Sequence, residues 1–96
     1  MNREQIIQQL KEIKPVLAEK YGLTTLALFG SYSRDEAKAE SDLDLLLDFK
    51  LSSAAALFET YDLLQQTFST VPVQVVTRKA IKPLYFQAIK DELIYA

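Results

Sequence analysis

Apolar residues in the first part of the chain recur at helical spacing. Ile6, Leu10, Ile13 and Leu17 are separated by four, three and four residues, with polar and charged residues between them. This spacing places the four side chains on one face of a helix. The pattern predicts an amphipathic helix over residues 2–21.

Both ends of this helix carry sequence signals. Asn2, followed three residues later by Gln5, predicts a capping box, and Gly22 predicts a left-handed C-terminal cap. Pro15 lies inside the apolar stripe. Because proline has no backbone N–H and clashes with the preceding turn, a kink or break is expected near residues 13–14.

Three apolar runs after Gly22 predict strands: residues 25–29, residues 42–49 and residues 71–76. Pro72 favours an edge position for the third strand. The second run, "DLDLLLDF", alternates except at Leu46, so its two faces differ. One face carries Asp42, Asp44, Leu46 and Asp48, and the other carries Leu43, Leu45, Leu47 and Phe49.

Helical patterns follow the second and third strands. Ser52 or Ser53 is expected to cap a helix whose inward side chains are Leu57, Tyr61 and Leu64. Pro83, a favoured first-turn residue, is expected to begin the last helix. The residues of that helix expected to pack inward are Leu84, Ala88, Phe86 and Ile89.

Two segments are interpreted less directly. A short helix beginning at Ser31 is predicted over residues 31–37, followed by a polar loop over residues 37–41. The terminal "LIYA" is apolar enough to pack on another chain, and equally suits a last short strand or a core segment. The element order α-β-(α)-β-α-β-α predicts a single domain over residues 1–96. Its expected class is α/β (α+β), with a mixed sheet of three to four strands and helices packed on it.

The amino-acid composition limits the catalytic groups, metal ligands and partners that this chain can have. The chain has no cysteine and no histidine, so disulfides, thiolate metal sites and a histidine general base are excluded. A net charge of −2 with dispersed Lys and Arg argues against a direct nucleic-acid partner. No apolar run approaches the roughly 20 residues of a membrane span, and the charged N-terminus is not a signal peptide. A cytoplasmic location without a membrane partner is therefore expected.

Gly30 and Ser31 end the first predicted strand. A strand that ends in Gly-Ser and turns into a helix presents backbone N–H groups to an anion. Glycine lets the backbone come close to a ligand, and the serine hydroxyl adds a hydrogen-bond donor. The pair therefore indicates a phosphate-binding turn, although most Gly-Ser dipeptides are only turns.

Asp42 and Asp44 lie one residue apart on a strand, so their Cβ atoms share a face about 7 Å apart. Such carboxylates repel each other unless a cation lies near them, and Mg²⁺ accepts one or two carboxylates together with substrate phosphates. A solvated polar face explains the same pair. A calcium-binding EF-hand loop does not, because leucines follow Asp44 where a Gly turn and a distal Glu are required.

Taken together, the Gly-Ser turn, ten intervening residues and Asp-x-Asp resemble the nucleotidyltransferase superfamily related to DNA polymerase β. The similarity is to minimal nucleotidyltransferases (MNT), the antitoxins of HEPN-domain toxins, and it covers "LALFGSYSRDEAKAESDLDLLLDF", "VPVQVVTRKAIKP" and "IKDELIYA". The resemblance implies that Gly30 and Ser31 hold a nucleoside triphosphate, with ATP expected. Arg34 is close enough along the chain to contact its phosphates, and equally suits a solvated helix position. It further implies that Asp42 and Asp44 bind one or two Mg²⁺ ions, and that the chain forms a hetero-oligomer with a HEPN-domain toxin.

Two positions depart from the family pattern. Active members bring a third carboxylate from a later strand, and Gln74 of "VQVVT" occupies that place. A glutamine cannot take a proton, and losing a general base typically costs about 10²–10⁴-fold. Asp48 is the alternative third acid, but it lies four residues beyond Asp44 on the same strand. Asp35 stands where the family usually has Gly, and its charge is expected to disfavour a triphosphate unless Arg34 offsets it.

Three functions remain open at this point. The chain is an active enzyme that transfers AMP to a tyrosine of its partner toxin, an antitoxin that neutralises by contact with a degraded site, or a structural subunit. The departure at Gln74 favours the second, in which Mg²⁺ binding and transfer are weakened.

Overall fold

The computed structural model describes all 96 residues. In chain order the elements are α1 (Arg3–Tyr21), β1 (Leu23–Phe29), β2 (Leu43–Phe49), α2 (Ala54–Thr67), β3 (Val73–Thr77), α3 (Pro83–Ile89), a 3₁₀ turn (Lys90–Glu92) and β4 (Ile94–Tyr95). The strands form one sheet in the order β3-β2-β1-β4. β1 pairs antiparallel with β2 and β4, whereas β2 and β3 are parallel. The predicted mixed sheet with packed helices is confirmed, and "LIYA" contributes its fourth strand.

The first helix forms as its end signals predict. Asn2 and Gln5 make the reciprocal capping box, and Gly22 caps the C-terminus with φ +73°. A kink or break was predicted near residues 13–14, and the break does not occur, because α1 runs without interruption from Arg3 to Tyr21. Pro15 and Lys11, whose carbonyl loses its partner, are both exposed, so water can satisfy that carbonyl.

The main core lies between α1, α2 and one face of the sheet. Its 13 buried residues are Ile6, Leu10, Leu17, Leu23, Leu26, Leu28, Leu43, Leu45, Leu47, Phe49, Leu64, Phe68 and Val73. The apolar face of β2 therefore packs into the main core, as the pattern of its residues predicts. No helix of the chain is long and apolar enough to cross a bilayer.

The second face of the sheet is only partly covered. Four buried residues, Ala27, Phe29, Leu46 and Ile89, form a smaller cluster beneath α3. The prediction that Leu84 and Ala88 pack inward is wrong, because both are exposed. The seven-residue α3 presents the stripe through Phe86 and Ile89 instead. The polar positions of β2 share this second face with the smaller cluster.

Residues 31–37 are not helical. Four backbone hydrogen bonds close successive turns between Gly30 and Glu36, and the buried Ser33 hydroxyl donates to the Gly30 carbonyl at 2.8 Å. Such side-chain bonds compete with helix formation. Asp35 has φ +59°, a left-handed conformation that a helix does not continue through. The same φ gives a backbone reason for the glycine that the family resemblance implies at this position.

One buried polar group in α2 lacks a partner and yields a stability prediction. Thr60 is fully buried and its hydroxyl has no hydrogen bond. Thr60→Val keeps the shape and removes the unsatisfied group, so we expect the free energy of unfolding in urea to rise by about 1 kcal/mol. Thr67→Val is the matched control, because the Thr67 hydroxyl donates to Leu63 O at 2.8 Å and its loss should destabilise. Equal destabilisation by both substitutions would contradict the assignment.

Candidate functional site

The turn after β1 exposes hydrogen-bond donors. Neither the Ser31 hydroxyl nor the backbone N–H groups of Ser31 and Tyr32 have a hydrogen-bond partner within the chain. Gly30 has φ +79°, which directs the chain away from the strand. Because residues 31–35 form turns, the helix N-terminus predicted at Ser31 is absent. The donors that an anion could meet here are those of the turn itself, as with successive N–H groups in a concave turn.

Gly30 also makes room for Asp44. The register places Phe29 opposite Asp44, and a Cβ atom on Gly30 would collide with the Asp44 carboxylate. The glycine therefore lets the Gly-Ser turn and the Asp-x-Asp strand lie in direct contact. The structure thus brings together the two motifs that the sequence separates by ten residues.

A substitution at Gly30 should be costly for two reasons that can be separated. Gly30→Ala adds both left-handed strain and the collision with Asp44, and we expect it to lower the free energy of unfolding by roughly 2–4 kcal/mol. Gly22→Ala is the control, because Gly22 has a similar φ of +73° and its nearest added contact is the Lys50 Cβ at 3.8 Å. It should lose only about 1–2 kcal/mol. Equal losses in urea titrations would rule out the Asp44 collision.

Asp42, Asp44 and Gln74 lie together on the second face of the sheet. The parallel register pairs Asp44 with Gln74, and Gln74 Nε2 donates to Asp42 Oδ2 at 2.7 Å. Asp42 and Asp44 are half-buried, whereas Gln74 is exposed. The amide of Gln74 is neutral, so it leaves the negative charges of Asp42 and Asp44 uncompensated. It does provide one oxygen of Asp42 with a hydrogen-bond donor.

The electrostatics of the pair centre on Asp44. Partial burial, the negative charge of Asp42 and then that of Glu92 raise the pKa of Asp44, and Arg34 opposes them. A carboxylate with this environment is destabilised in its charged form. A nearby cation would relieve that cost.

Arg34 is held by two carboxylates. Its Nε donates to Glu36 at 3.0 Å and its Nη1 reaches Glu92 Oε2 at 3.0 Å, and these bonds raise the pKa of Arg34. Glu92 Oε1 also accepts the backbone N–H of Gly30 at 2.8 Å. Glu92 thus joins the predicted phosphate-binding residues, although no local pattern in the sequence distinguishes it from other surface glutamates.

The remaining predicted acids lie elsewhere. Asp48 pairs with Thr25 toward the other end of β2, and its carboxylate accepts the N–H of Phe49 at 3.0 Å. Asp35 is exposed and forms no ion pair with Arg34, whose partners are Glu36 and Glu92. The charge of Asp35 is therefore not offset by Arg34 in this structure.

An aromatic pair borders the site and was missed in the sequence. The rings of Tyr85 and Phe29 meet edge to face with centroids 6.1 Å apart. Burial and then the charges of Asp44 and Glu92 raise the pKa of Tyr85, which places its hydroxyl within their field. Tyr85 also lines a cavity of about 420 Å³ with Val76 and Ile81. An exposed tyrosine in a short helix carries no sequence signal of such a role.

The donor set fits a hard divalent cation. Two half-buried carboxylates share one face, and Mg²⁺ characteristically takes one or two protein carboxylates and completes its shell with water and phosphate oxygens. No group of three or more Asp, Glu, His or Cys side chains is placed to hold a metal ion by itself. The residues present therefore suit a cation that shares its ligands with a substrate.

This fold and site define a nucleotidyltransferase domain. The family model "Nucleotidyltransferase domain" matches residues 10–96, and the chain belongs to that family. A candidate protein adenylyltransferase of Methanocaldococcus jannaschii is 36% identical over 95 residues, covering 93% of this chain and 96% of the relative. The protein adenylyltransferase MntA of Thermococcus cleftensis is 29% identical over 92 residues, covering 96% and 93%.

Solved structures share the fold. A candidate minimal nucleotidyltransferase superposes with a TM-score of 0.82 at 24% identity, covering 98% of this chain and 95% of its own. A toxin–antitoxin structure with AMP-PNP gives 0.68 at 22% identity, covering 99% and 72%. A tri-AMPylated HEPN toxin of Shewanella oneidensis in complex with its MNT antitoxin gives 0.59 at 21% identity, covering 98% and 67%. The chain therefore has the minimal nucleotidyltransferase fold.

Proposed function

We propose that this chain is a nucleotidyltransferase-fold antitoxin that neutralises a HEPN-domain toxin, with AMP transfer weakened or lost. The observation that carries the proposal is the hydrogen bond from Gln74 Nε2 to Asp42 Oδ2 at 2.7 Å. A neutral amide, paired in register with Asp44, lies where the family resemblance implies a third carboxylate. Glutamine can offer a carbonyl oxygen to a metal but cannot accept a proton from an attacking hydroxyl.

The residues that remain suit binding better than turnover. Asp42 and Asp44 would hold Mg²⁺, which when bound neutralises charge on the triphosphate. The Ser31 hydroxyl and the N–H groups of Ser31 and Tyr32 have no partner within the chain and are available to phosphate oxygens. The cavity beside Tyr85 offers an apolar surface of the kind that receives a nucleobase. Because Gln74 cannot take the hydroxyl proton, binding would proceed and transfer would be slow.

The partner is proposed from the relatives. The Shewanella oneidensis neighbour is an MNT antitoxin in complex with a HEPN toxin, and a hetero-oligomer of the same kind is proposed here. Contact with the toxin does not require catalysis, so neutralisation is expected to persist when transfer is slow.

Mass spectrometry of the cognate HEPN-domain protein tests this function. The toxin is incubated with the chain in three ways: with ATP and Mg²⁺, with ATP and a chelator, and with neither. We expect the activity of the toxin to be inhibited under all three conditions. Mass spectrometry should show little AMP added to the toxin under any of them. Loss of neutralisation when ATP is omitted would contradict neutralisation by contact.

An active Mg²⁺-dependent enzyme that AMPylates a tyrosine of its partner is the second candidate. The Thermococcus cleftensis relative named protein adenylyltransferase favours it, as do the retained Gly-Ser turn and Asp-x-Asp pair. Rapid, Mg²⁺-dependent addition of AMP to the toxin in the same experiment would select this function.

Nucleotide binding is expected to depend on Ser31. Ser31→Ala removes one unpartnered donor and should weaken ATP binding by roughly tenfold, since a hydrogen bond to a charged group contributes about 1.5–3 kcal/mol. Calorimetric titration with ATP and Mg²⁺ measures this, and the melting temperature should hardly change. Ser69→Ala, at an exposed turn, is the control. Equal affinity of Ser31→Ala and wild type would mean that the phosphates bind elsewhere.

A further inference from the structure

The carboxylate of Glu92 lies among the groups that suit phosphate. Glu92 Oε1 accepts the N–H of Gly30 at 2.8 Å. Arg34 Nη1 donates to both oxygens, at 3.2 Å to Oε1 and 3.0 Å to Oε2. A backbone N–H at a glycine turn and a guanidinium are the donors that phosphate also uses, because carboxylate and phosphate share charge and acceptor geometry. Glu92 therefore contacts this turn as an anionic ligand would.

The negative charge of Glu92 is also unfavourable for the other acidic groups of the site. The charge of Glu92 contributes to raising the pKa of Asp44 and that of Tyr85. Only Gly30 and Arg34 attract it. The side chain is 20% exposed and extends from the 3₁₀ turn between α3 and β4, so a change of side-chain rotamer can release both donors without unfolding an element.

We propose that Glu92 is a built-in competitor of phosphate groups at this site. In this conformation it holds the Gly30 N–H and the Arg34 guanidinium, and an incoming polyphosphate displaces it to gain both donors. The proposal rests on the proposed function in that it concerns the same nucleotide site, and it assigns to Glu92 the control of phosphate affinity there. Because Glu92 belongs to the C-terminal segment, whose β4 strand pairs with β1, any partner that moves this segment would alter that affinity.

The alternative role for Glu92 predicts the opposite result. If Glu92 only orients Arg34 for a ligand, removing its charge frees Arg34 to move and weakens phosphate binding. If Glu92 competes with the ligand, removing its charge strengthens phosphate binding. The direction of the change therefore distinguishes a positioning residue from a competitor.

Inorganic tripolyphosphate is the probe, because it tests the phosphate-binding groups without a nucleobase. Calorimetric titrations compare wild type, Glu92→Gln and Asp91→Asn. Asp91 is the neighbouring exposed acid with no hydrogen bond or ion pair of its side chain, so its substitution changes the net charge equally. We expect Glu92→Gln to bind tripolyphosphate about tenfold more tightly than wild type, which corresponds to about 1.4 kcal/mol, and Asp91→Asn to match wild type. Glu92→Ala is the second variant and should also bind more tightly, with circular dichroism reporting the fold of each.

Every outcome bears on the proposal. Unchanged or weaker binding by Glu92→Gln, an equal gain in Asp91→Asn, or no binding by any variant overturns it. A parallel titration with ATP separates this inference from the proposed function. Tighter tripolyphosphate binding by Glu92→Gln, with no ATP binding by either protein, would support the competitor role and contradict nucleotide binding.

Discussion

Replacing Gln74 by Asp is expected to accelerate AMP transfer to the proposed HEPN-domain partner by a factor on the order of 10² or more, the contribution of a regained general base. The substituted carboxylate would lie on β3 in register with Asp44 and beside Asp42, which Gln74 now contacts. Three acids on one face should also bind Mg²⁺ more tightly. Mass spectrometry of the toxin after timed incubation with ATP and Mg²⁺ measures the gain.

The same substitution should lower stability when divalent cations are absent. It removes the 2.7 Å hydrogen bond between Gln74 and Asp42 and replaces it with repulsion between like charges. Gln74→Asn is the matched control, because Asn has the size of Asp without its charge. If wild type transfers AMP as fast as Gln74→Asp, Gln74 is not the vacated catalytic position.

The double substitution Asp42→Asn and Asp44→Asn is expected to abolish Mg²⁺ and Mn²⁺ binding. It should also stabilise the protein in chelator by roughly 1 kcal/mol, the repulsion between unit charges about 7 Å apart at an intermediate dielectric constant. Asparagine preserves the shape that packs against Gly30, so the fold should survive. Titration calorimetry measures metal binding, and urea unfolding in chelator measures stability. Unchanged metal affinity would contradict the metal site.

The pH dependence of stability follows from Asp44. Its pKa is raised in the folded protein above its ordinary value of 3.8, so the folded state retains a proton that the unfolded chain has already lost. Stability in chelator should therefore fall as pH rises from that ordinary value through the folded pKa. Asp44→Asn should flatten this part of the curve. Parallel curves for wild type and Asp44→Asn would show that Asp44 is not perturbed.

Much of the fold was predictable because local signals agreed with the tertiary packing. The period-two pattern of β2 assigned each side chain to its face, and all four apolar positions of one face are buried. The capping box at Asn2 and the left-handed Gly22 formed because these bonds lie within one turn of chain. The resemblance also identified the family from the Gly-Ser turn and Asp-x-Asp, which the family model bears out.

Prediction failed where the local pattern was too short or too ambiguous to determine the conformation. Residues 31–37 have helix-compatible composition, yet the positive φ of Gly30 and Asp35 and the Ser33 hydroxyl close turns instead. Leu84 and Ala88 are spaced for one helical face, but the short α3 meets the sheet through Ile89. In a helix of seven residues, periodicity is too brief to identify the buried face.

The sequence by itself determined the class of fold and the two faces of β2, because these depend on spacings of a few residues, and the family resemblance associated the Gly-Ser turn with the two aspartates. Only the tertiary structure decided what surrounds them. Glu92 reaches Gly30 across 62 residues, and Gln74 reaches Asp42 across 32. Such contacts depend on strand order and register, since β4 and β3 lie at opposite edges of the sheet. No periodicity encodes them, because each results from the chain returning to one face of the sheet.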